Sequence, residues 1–581
     1  MTVMQDNPAT PASFPKQTLV RSMLGPWTWK HEIGFLVLAI AVYLWGTMSI
    51  WPWSLDDAYI SLEYAQHLAR FGILSFNLHH LENPPTEGFS SPLWIFSLAG
   101  LILTGVRAVP MMKLLSLAGG FGVLVTTSLI LWRRLRCSAA PCLALLSTCF
   151  PLLYYSVNGM EMTWVWTLLF AWLFFHSSPR PSPLRVRLAA GFFLALLTLI
   201  RPEGIMFWAV AMLDTGIDGY RERNLRAVLR ERLWVLVLPL ILWSGYEAFR
   251  LLHYGMPFPN TYYAKWLTRS GPLGEKIPTG VYYSMQYTLG FLGVLWPVAL
   301  GVELLVRPTP LNDGWRLIRR PLLLSALAGW LFLWVIVSDN LPFYRFQMYT
   351  VLPFIVGGSF LLGEAIAKAG TLRWRLALFL AAAAIAGGFA MMNFDVAKRE
   401  RQKVEQSGAT WHQATKHIEL GRHLRTLFRP GDLLLFEEMG AVPYYSGLDF
   451  IDFMGLNDRR IAKIIYDHRQ ENTGYAFPPV RLSKEAISRR PDGVLLRAKR
   501  PMSDPALRRW SKNMSQVHEV WFSMMSMPGF RSCYEYLEMF KLNDSYYVYI
   551  YRLKNGCDPL ADQGAEPDPE LATYLKKKLD E

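Results

Sequence analysis

The chain has 581 residues, 52% of them apolar and 14% aromatic, with formal net charge +14 and five cysteines. So much aromatic and aliphatic content excludes an intrinsically disordered protein, and five cysteines in so long a chain exclude a disulfide-built secreted scaffold. A basic balance with a mean hydropathy of +0.19 suits either nucleic acid or a membrane, and the positions of the charges decide between them.

Residues 1–32 are polar and carry Lys16, Arg21 and Lys30. They lack the apolar core and small-residue cleavage site of a signal peptide and read as an N-terminal segment in the cytoplasm. The run 33–51 is nearly free of charge and long enough for a bilayer core of about 30 Å. Similar runs follow at 110–132, 139–157, 162–177, 233–252, 286–306, 320–338, 346–367 and 374–393. A longer stretch, 188–215, is broken by Arg201-Pro202-Glu203-Gly204, and 92–106 is apolar but only about 15 residues long, at the ambiguous end of the range.

Arginines cluster at 133–136, 180–187, 221–232 and 307–320, with Lys368, Arg373 and Arg375 beyond. Basic loops face the cytoplasm. All five clusters share one side only if 92–106 dips into the outer leaflet and returns, and if 188–215 is a hairpin of two short helices whose turn points outward. These constraints predict a polytopic α-helical protein of about eleven spans with its transmembrane part at 33–393, a first outer loop at 52–109, and an outside C-terminus.

Near residue 394 the long apolar runs stop. Residues 403–428 read as an amphipathic helix, and 433–436, 493–496 and 546–551 as strands, being short, apolar and bounded by Gly, Asp or Asn. A small extracytoplasmic α/β domain over 394–557 is expected, followed by a polar tail at 558–581. Cys137, Cys142 and Cys149 read as apolar filler. Cys533 and Cys557 lie where oxidation is allowed, so a disulfide between them is expected.

Acids and amides that flank the apolar runs fall on the outer side: Asp56-Asp57, Asn158 to Glu161, Arg201 to Gly204, Asn260 to Lys265, and Asp339-Asn340, with Arg345 just after. Ionisable groups at membrane depth line a cavity or pair with one another, so these loops predict one polar cavity at the outer surface. Asp56 and Asp57 stand at a helix start. An N-cap accounts for one aspartate, not two; a carboxylate there suits a general base on a sugar hydroxyl, and two could help to hold a divalent cation. Glu161 has a capping alternative. Arg201 either pairs locally with Glu203 or binds phosphate bidentately. Lys265 and Arg345 are either interfacial anchors or phosphate ligands. The vicinal His79-His80, without nearby Cys or spaced carboxylates, is a poor metal site and reads as loop beside the acceptor path.

The string Asp-Asp-Ala-Tyr-Ile-Ser-Leu-Glu-Tyr-Ala at 56–65, then Gly72, Phe76-Asn77 and Glu87-Gly-Phe-Ser-Ser-Pro-Leu-Trp94, resembles the first outer loop of the GT-C glycosyltransferase superfamily. It is most similar to the mycobacterial terminal β-(1→2)-arabinofuranosyltransferase family and its bacterial relatives. Asn158-Gly-Met-Glu161, Thr198-Leu-Ile-Arg-Pro-Glu-Gly204, Tyr254-Gly-Met-Pro-Phe-Pro-Asn-Thr-Tyr-Tyr-Ala-Lys265, Tyr344-Arg-Phe346, Asp452-Phe-Met-Gly-Leu-Asn-Asp458 and Arg490-Pro-Asp492 extend the likeness over most of the chain. The resemblance implies a sugar donor on polyprenyl phosphate and a glycan acceptor outside the cytoplasmic membrane. It places the family's acidic positions on Asp56, Asp57 and Glu161. The insertion Leu78 to Thr86 is longer than the family's usual spacer, which leaves the acceptor open.

Together these features predict a multi-pass membrane enzyme with the lipid bilayer and a polyprenyl-phosphate sugar as partners and no nucleic acid. It would move a monosaccharide, such as a pentofuranose, with inversion. Arg201, Lys265 and Arg345 are expected at the donor phosphate, and Tyr59, Glu87, Glu203, Asn260, Tyr262 and Asp339 at substrate. No cofactor is required, and a divalent cation, if used, would sit at Asp56-Asp57. The alternatives are a lipid-linked-sugar flippase, an O-antigen-type ligase and a membrane-anchored glycan-binding protein. The absence of two similar hydrophobic halves speaks against the flippase.

Overall fold

A computed structural model describes residues 29–266, 313–336, 345–368, 414–471, 478–498, 521–542 save 522 and 526, and 546–560, with scattered positions between 373 and 402. The expected span 286–306, most of 374–393, and the tail beyond 560 lie outside the described residues.

Helix α1 (Trp29–Ser49) covers 21 residues, about 31 Å at 1.5 Å per residue. Among the described residues four helices are long and apolar enough to cross a membrane: Glu32–Ser49, Ala108–Arg134, Leu225–Tyr254 and Asp313–Trp334. Shorter apolar helices are α3 (Pro92–Leu103), α7 (Met162–His176) and the stretch Met348–Leu361. The 12 residues of α3 reach only about 18 Å, less than a bilayer core. The following α4 (Ala108–Leu129) starts at the end of the bundle where α1 finishes: Lys113 Nζ donates to the carbonyls of Trp51 (2.6 Å) and Trp53 (2.9 Å).

The expected run 139–157 is not one helix. It divides into α5 (Ala140–Ser147) and α6 (Phe150–Tyr155). Pro151 has no N–H to give back to the preceding turn and sits where a helix can start anew. The stretch 188–215 divides as expected into α8 (Leu184–Ile200) and α9 (Gly204–Arg221), with Arg201 extended at φ −157°, ψ 146° between them. Gly204 allows this turn, because a Cβ there would collide with the carbonyl of Leu197. Helix α10 (Leu225–Tyr254) packs against both arms.

Two polar networks mark the opposite ends of this bundle. At one end, Asp214 of α9 meets His176 of α7 (2.9 Å), Arg232 of α10 (3.9 Å) and Arg320 of α12 (Asp313–Ile336). Arg134 donates to the Phe174 carbonyl (2.9 Å) and Ser178 Oγ (2.6 Å). Arg180 joins Asp218 (3.0 Å). Arg134, Arg180, Arg232 and Arg320, one residue from each of four clusters, thus gather at one end of the bundle. At the other end lie Asp56, Glu161, Arg201 and Glu203.

The remaining described helices of this part are α2 (Asp56–Phe71), α11 (Asn260–Trp266) and α13 (Met348–Lys368). After them comes a five-stranded sheet of order β2-β1-β3-β5-β4. Helix α14 (Thr415–Leu427) leads into β1 (Leu433–Phe436); α15 (Ala441–Ser446) connects to β2 (Asp449–Asp452), and α16 (Arg459–Glu471) with α17 (Pro479–Ser488) to β3 (Gly493–Ala498). β1 is parallel to both neighbours, Leu435 lying opposite Ile451 and Val494. α18 (Pro528–Cys533), β4 (Tyr534–Lys541) and β5 (Tyr547–Leu553) add an antiparallel ribbon on β3. Cys533 and Cys557 are bonded, with Cα atoms 5.4 Å apart. Leu433, Leu435, Ile451, Val494 and Leu496 bury one sheet face under α16, α17 and Trp521, whereas Leu434, Phe436, Phe450 and Leu495 belong to the core shared with the bundle. The alternation of side chains along the strands thus ties this α/β unit into the rest of the chain.

Candidate active site

Asp56 is the first residue of α2, and the preceding Leu55 is extended (φ −81°, ψ 139°) without a side-chain cap. Leu55 N–H donates to the Asn158 carbonyl (3.1 Å), so the loop after α1 and the loop after α6 are joined here. The Asp56 carboxylate does not cap its own helix. It accepts hydrogen bonds from the N–H groups of Gly440 (3.0 Å) and Ala441 (2.9 Å) in the α/β unit, and His417 Nδ1 of α14 stands 3.3 Å from Oδ1. A Cβ at Gly440 would collide with the Asp56 carboxylate, so only glycine permits this approach. Burial opposes the charge on Asp56, but His417 and the two N–H donors outweigh it and hold the carboxyl below its usual range. The same contact holds the His417 imidazole above its usual value despite burial. Asp57 beside it is half-buried. Tyr59 is buried, its OH 3.3 Å from Ser54 Oγ and its ring 5.6 and 5.7 Å from Tyr444 and Tyr445.

The second cluster joins three segments. Arg201 forms ion pairs with Glu161, at the start of α7, through Nη1 and with Glu203, at the start of α9, through Nε. Tyr349 of α13 donates to Glu203 (3.0 Å). The guanidinium carbons of Arg201 and Arg345 lie 5.6 and 4.3 Å from the centre of the Phe346 ring. Arg201 thus makes the local pair with Glu203 and a longer-range pair with Glu161. Glu161 Oε2 is buried with no hydrogen-bond partner among the described residues.

Glu87 and Asn260, expected at substrate, are hydrogen-bonded within the chain. The Glu87 carboxylate is buried and accepts from Arg250 Nε (2.7 Å) and Tyr246 OH (2.6 Å), while its carbonyl accepts from Asn260 N–H (2.9 Å). Asn260 Nδ2 in turn donates to the carbonyls of Gly455 (2.6 Å) and Leu456 (3.0 Å). Tyr262 stacks on Phe258 at 4.6 Å. The side chain of Lys265 and the whole of Asp339 lie outside the described residues.

The insertion with His79 and His80 wraps the carboxylate of Asp449. Backbone N–H groups of Leu78 (3.1 Å), His79 (2.7 Å) and His80 (2.6 Å) donate to it. Burial alone would raise Asp449, but these donors hold it below the usual carboxylate range. His417, Gly440 and Asp449 are the residues of this region that motif reading missed. A fully buried histidine on α14 carried no signal beyond its place on the apolar face of an amphipathic segment.

Among the described residues no three His, Cys, Asp or Glu side chains gather as a metal site requires. Asp56, expected to help hold any divalent cation, instead faces two N–H donors and an imidazole, a surrounding that favours no cation. Asp56 with these partners does not fit a metal, and no step below passes through one.

A family profile described as "Domain of unknown function (DUF8728)" matches residues 402–551. No curated protein matches the chain. Among solved structures, ArnT from Cupriavidus metallidurans in the apo state is 12% identical over 90% of this chain and 98% of its own, with a TM-score of 0.51. ArnT bound to undecaprenyl phosphate is 12% identical over 93% and 100%, with a TM-score of 0.49. The oligosaccharyltransferase AglB from Archaeoglobus fulgidus, in complex with an inhibitory peptide and a dolichol-phosphate, is 14% identical over 81% and 70%, with a TM-score of 0.46. The likeness to apo ArnT shows the fold alone: this chain shares the helical architecture of ArnT, and among the described residues four of its helices are long and apolar enough to cross a membrane.

Proposed function

We propose that the chain is a membrane glycosyltransferase that moves a monosaccharide from a polyprenyl-phosphate donor to a glycan acceptor at the outer face of the membrane. One observation carries this best: within a GT-C fold, a half-buried carboxylate, Asp57, and the Glu161–Arg201–Glu203 cluster lie at the same end of the bundle. ArnT has been solved holding undecaprenyl phosphate, the lipid class assigned here to the donor. A pentofuranose such as arabinofuranose is the sugar we assign, on the resemblance of the first outer loop.

In the reaction, a carboxylate of the Asp56-Asp57 pair takes the acceptor hydroxyl proton while that oxygen attacks the anomeric carbon. The bond from the anomeric carbon to the phosphate oxygen breaks on the opposite face, with inversion, and polyprenyl phosphate leaves. Charge grows on the leaving phosphate, so fixed cations beside it lower the barrier. Arg201, Lys265 and Arg345 are the cations we assign to the phosphate, Arg201 being also held by two carboxylates. Glu161 and Glu203 then set the position of Arg201 and, through Tyr349, of α13.

The test is transfer by the purified protein from synthetic polyprenyl-phosphate sugars to a simple glycoside. Asp57→Asn is expected to lower turnover by about 10²–10⁴-fold, the usual contribution of a general base. Dependence on a diphosphate-linked glycan would point to a ligase. Movement of the lipid-linked sugar across vesicles without product would point to a flippase.

A further inference from the structure

In open α/β sheets ligands sit beyond the carboxyl ends of the parallel strands, where the chain leaves in opposite directions. Here that place lies after β1, flanked by β2 and β3. Glu437 and Glu438, which follow β1, each pair with Arg497 of β3 at 2.5 Å. The next residues, Gly440 and Ala441, turn their N–H groups to Asp56. The crevice is thus filled from the bundle by Asp56, which is 5% exposed, and roofed by His417, which is 1% exposed. Both carboxylate oxygens of Asp56 are engaged across the seam between bundle and α/β unit. A general base needs an exposed lone pair facing the attacking hydroxyl, whereas the Asp56 carboxylate is buried and each of its oxygens already accepts a backbone N–H.

Accordingly we propose that Asp56 is a positioning residue and not the proton acceptor: with His417, Gly440 and Ala441 it latches the α/β unit onto the start of α2 and so holds the first outer loop and the acceptor path in place. This rests on the transferase function proposed above. It also assigns the α/β unit a task, as the wall that fixes the outer loop, rather than as a separately hinged glycan-binding module.

The test compares Asp56→Asn, His417→Asn, Gly440→Ala and Asp57→Asn in the full-length protein in nanodiscs. Hydrogen exchange at the Gly440 and Ala441 amides reads the latch, and transfer kinetics read the site. Asp56→Asn, His417→Asn and Gly440→Ala are each expected to expose those amides and to lower kcat/KM for the acceptor by about 10²-fold, the loss typical of a small misplacement. The Asp56→Asn/His417→Asn double variant should lose no more than either single one, because both break the same contact. The acid limb of the pH profile should persist in Asp56→Asn, and the Gly440 and Ala441 amides should stay protected in Asp57→Asn. Asp56→Asn with protected amides and no acid limb, or His417→Asn and Gly440→Ala with unchanged kinetics, would overturn the proposal. If Asp56→Asn fails to fold, the other two latch variants decide. If the wild type transfers no sugar at all, the transferase function fails, while the exchange data still report whether the latch exists.

Discussion

Asn77 and Phe450 hold each other by two hydrogen bonds: Asn77 Nδ2 donates to the Phe450 carbonyl and Phe450 N–H donates to Asn77 Oδ1, both at 2.9 Å. A side-chain amide of the loop after α2 thus acts as one more strand residue beside β2, an edge of the sheet, and covers groups that an open edge would expose. Asn77→Ala leaves two buried backbone groups unpaired. It should cost about 1–3 kcal/mol in local stability, read as faster hydrogen exchange at the Phe450 amide. Unchanged exchange there would show that the seam does not depend on this pair.

Arg201 stands between Glu161 and Glu203, and all three side chains are at least 90% buried. Removing the guanidinium leaves two carboxylates facing each other in a dry site. Arg201→Ala should therefore destabilise the protein by about 3–5 kcal/mol, seen as a fall in its thermal midpoint in detergent. Glu203→Gln, which keeps a partner for Tyr349, should cost much less. A phosphate-binding arginine without this structural duty would instead leave the midpoint unchanged and raise the KM for the donor.

Asp452 closes the turn after β2. Its carboxyl accepts from Met454 N–H (2.9 Å), Asn457 N–H (2.7 Å) and Asn457 Nδ2 (3.1 Å). Burial, aided by the charge of Asp458, nevertheless pushes it up to about 7. For an acid whose folded value is raised, the protonated form is the one that folding favours. The stability it contributes is full below about pH 4 and is lost as pH rises through 7, about 4 kcal/mol in all by linkage. Thermal midpoints of the wild type should fall between pH 5 and 8 more than those of Asp452→Asn. Parallel curves for the two proteins would refute this.

Cys533 and Cys557 close a loop over a sequence separation of 24. A loop of that size constrains the unfolded chain by about 3 kcal/mol. Cys533→Ser should lower the stability of the α/β unit by that order and abolish the mobility shift between reducing and non-reducing gels. No change in either would show that the thiols are free in the protein as made.

Much of the architecture was legible because it follows from periodicity and charge. The spans at 33–51, 110–132, 233–252 and 320–338 coincide with helices long enough to cross, and the strands at 433–436, 493–496 and 546–551 with β1, β3 and β5. The break in 139–157 was signalled by Pro151 but outweighed by the apolar run around it. The sidedness of the arginine clusters proved the most informative pattern, since Arg134, Arg180, Arg232 and Arg320 meet in one network with Asp214 and Asp218 or beside it.

The individual roles within the site were not legible. Asp56, Glu87 and Asn260 carry the polar groups that a substrate site would use, and local sequence cannot say whether the partner is a ligand or another part of the same chain. Their partners are Gly440 and Ala441, Arg250, and Gly455 and Leu456, as many as 385 residues away. Apolar length, charge sidedness and strand pattern act through local chain geometry and through the membrane, so sequence alone determined the elements, the two unlike halves and the end of the bundle where the acids lie. Which carboxylate is spent on the seam depends on backbone donors that exist at that point in space only once the sheet has formed and packed on α2, and only the tertiary structure decided it.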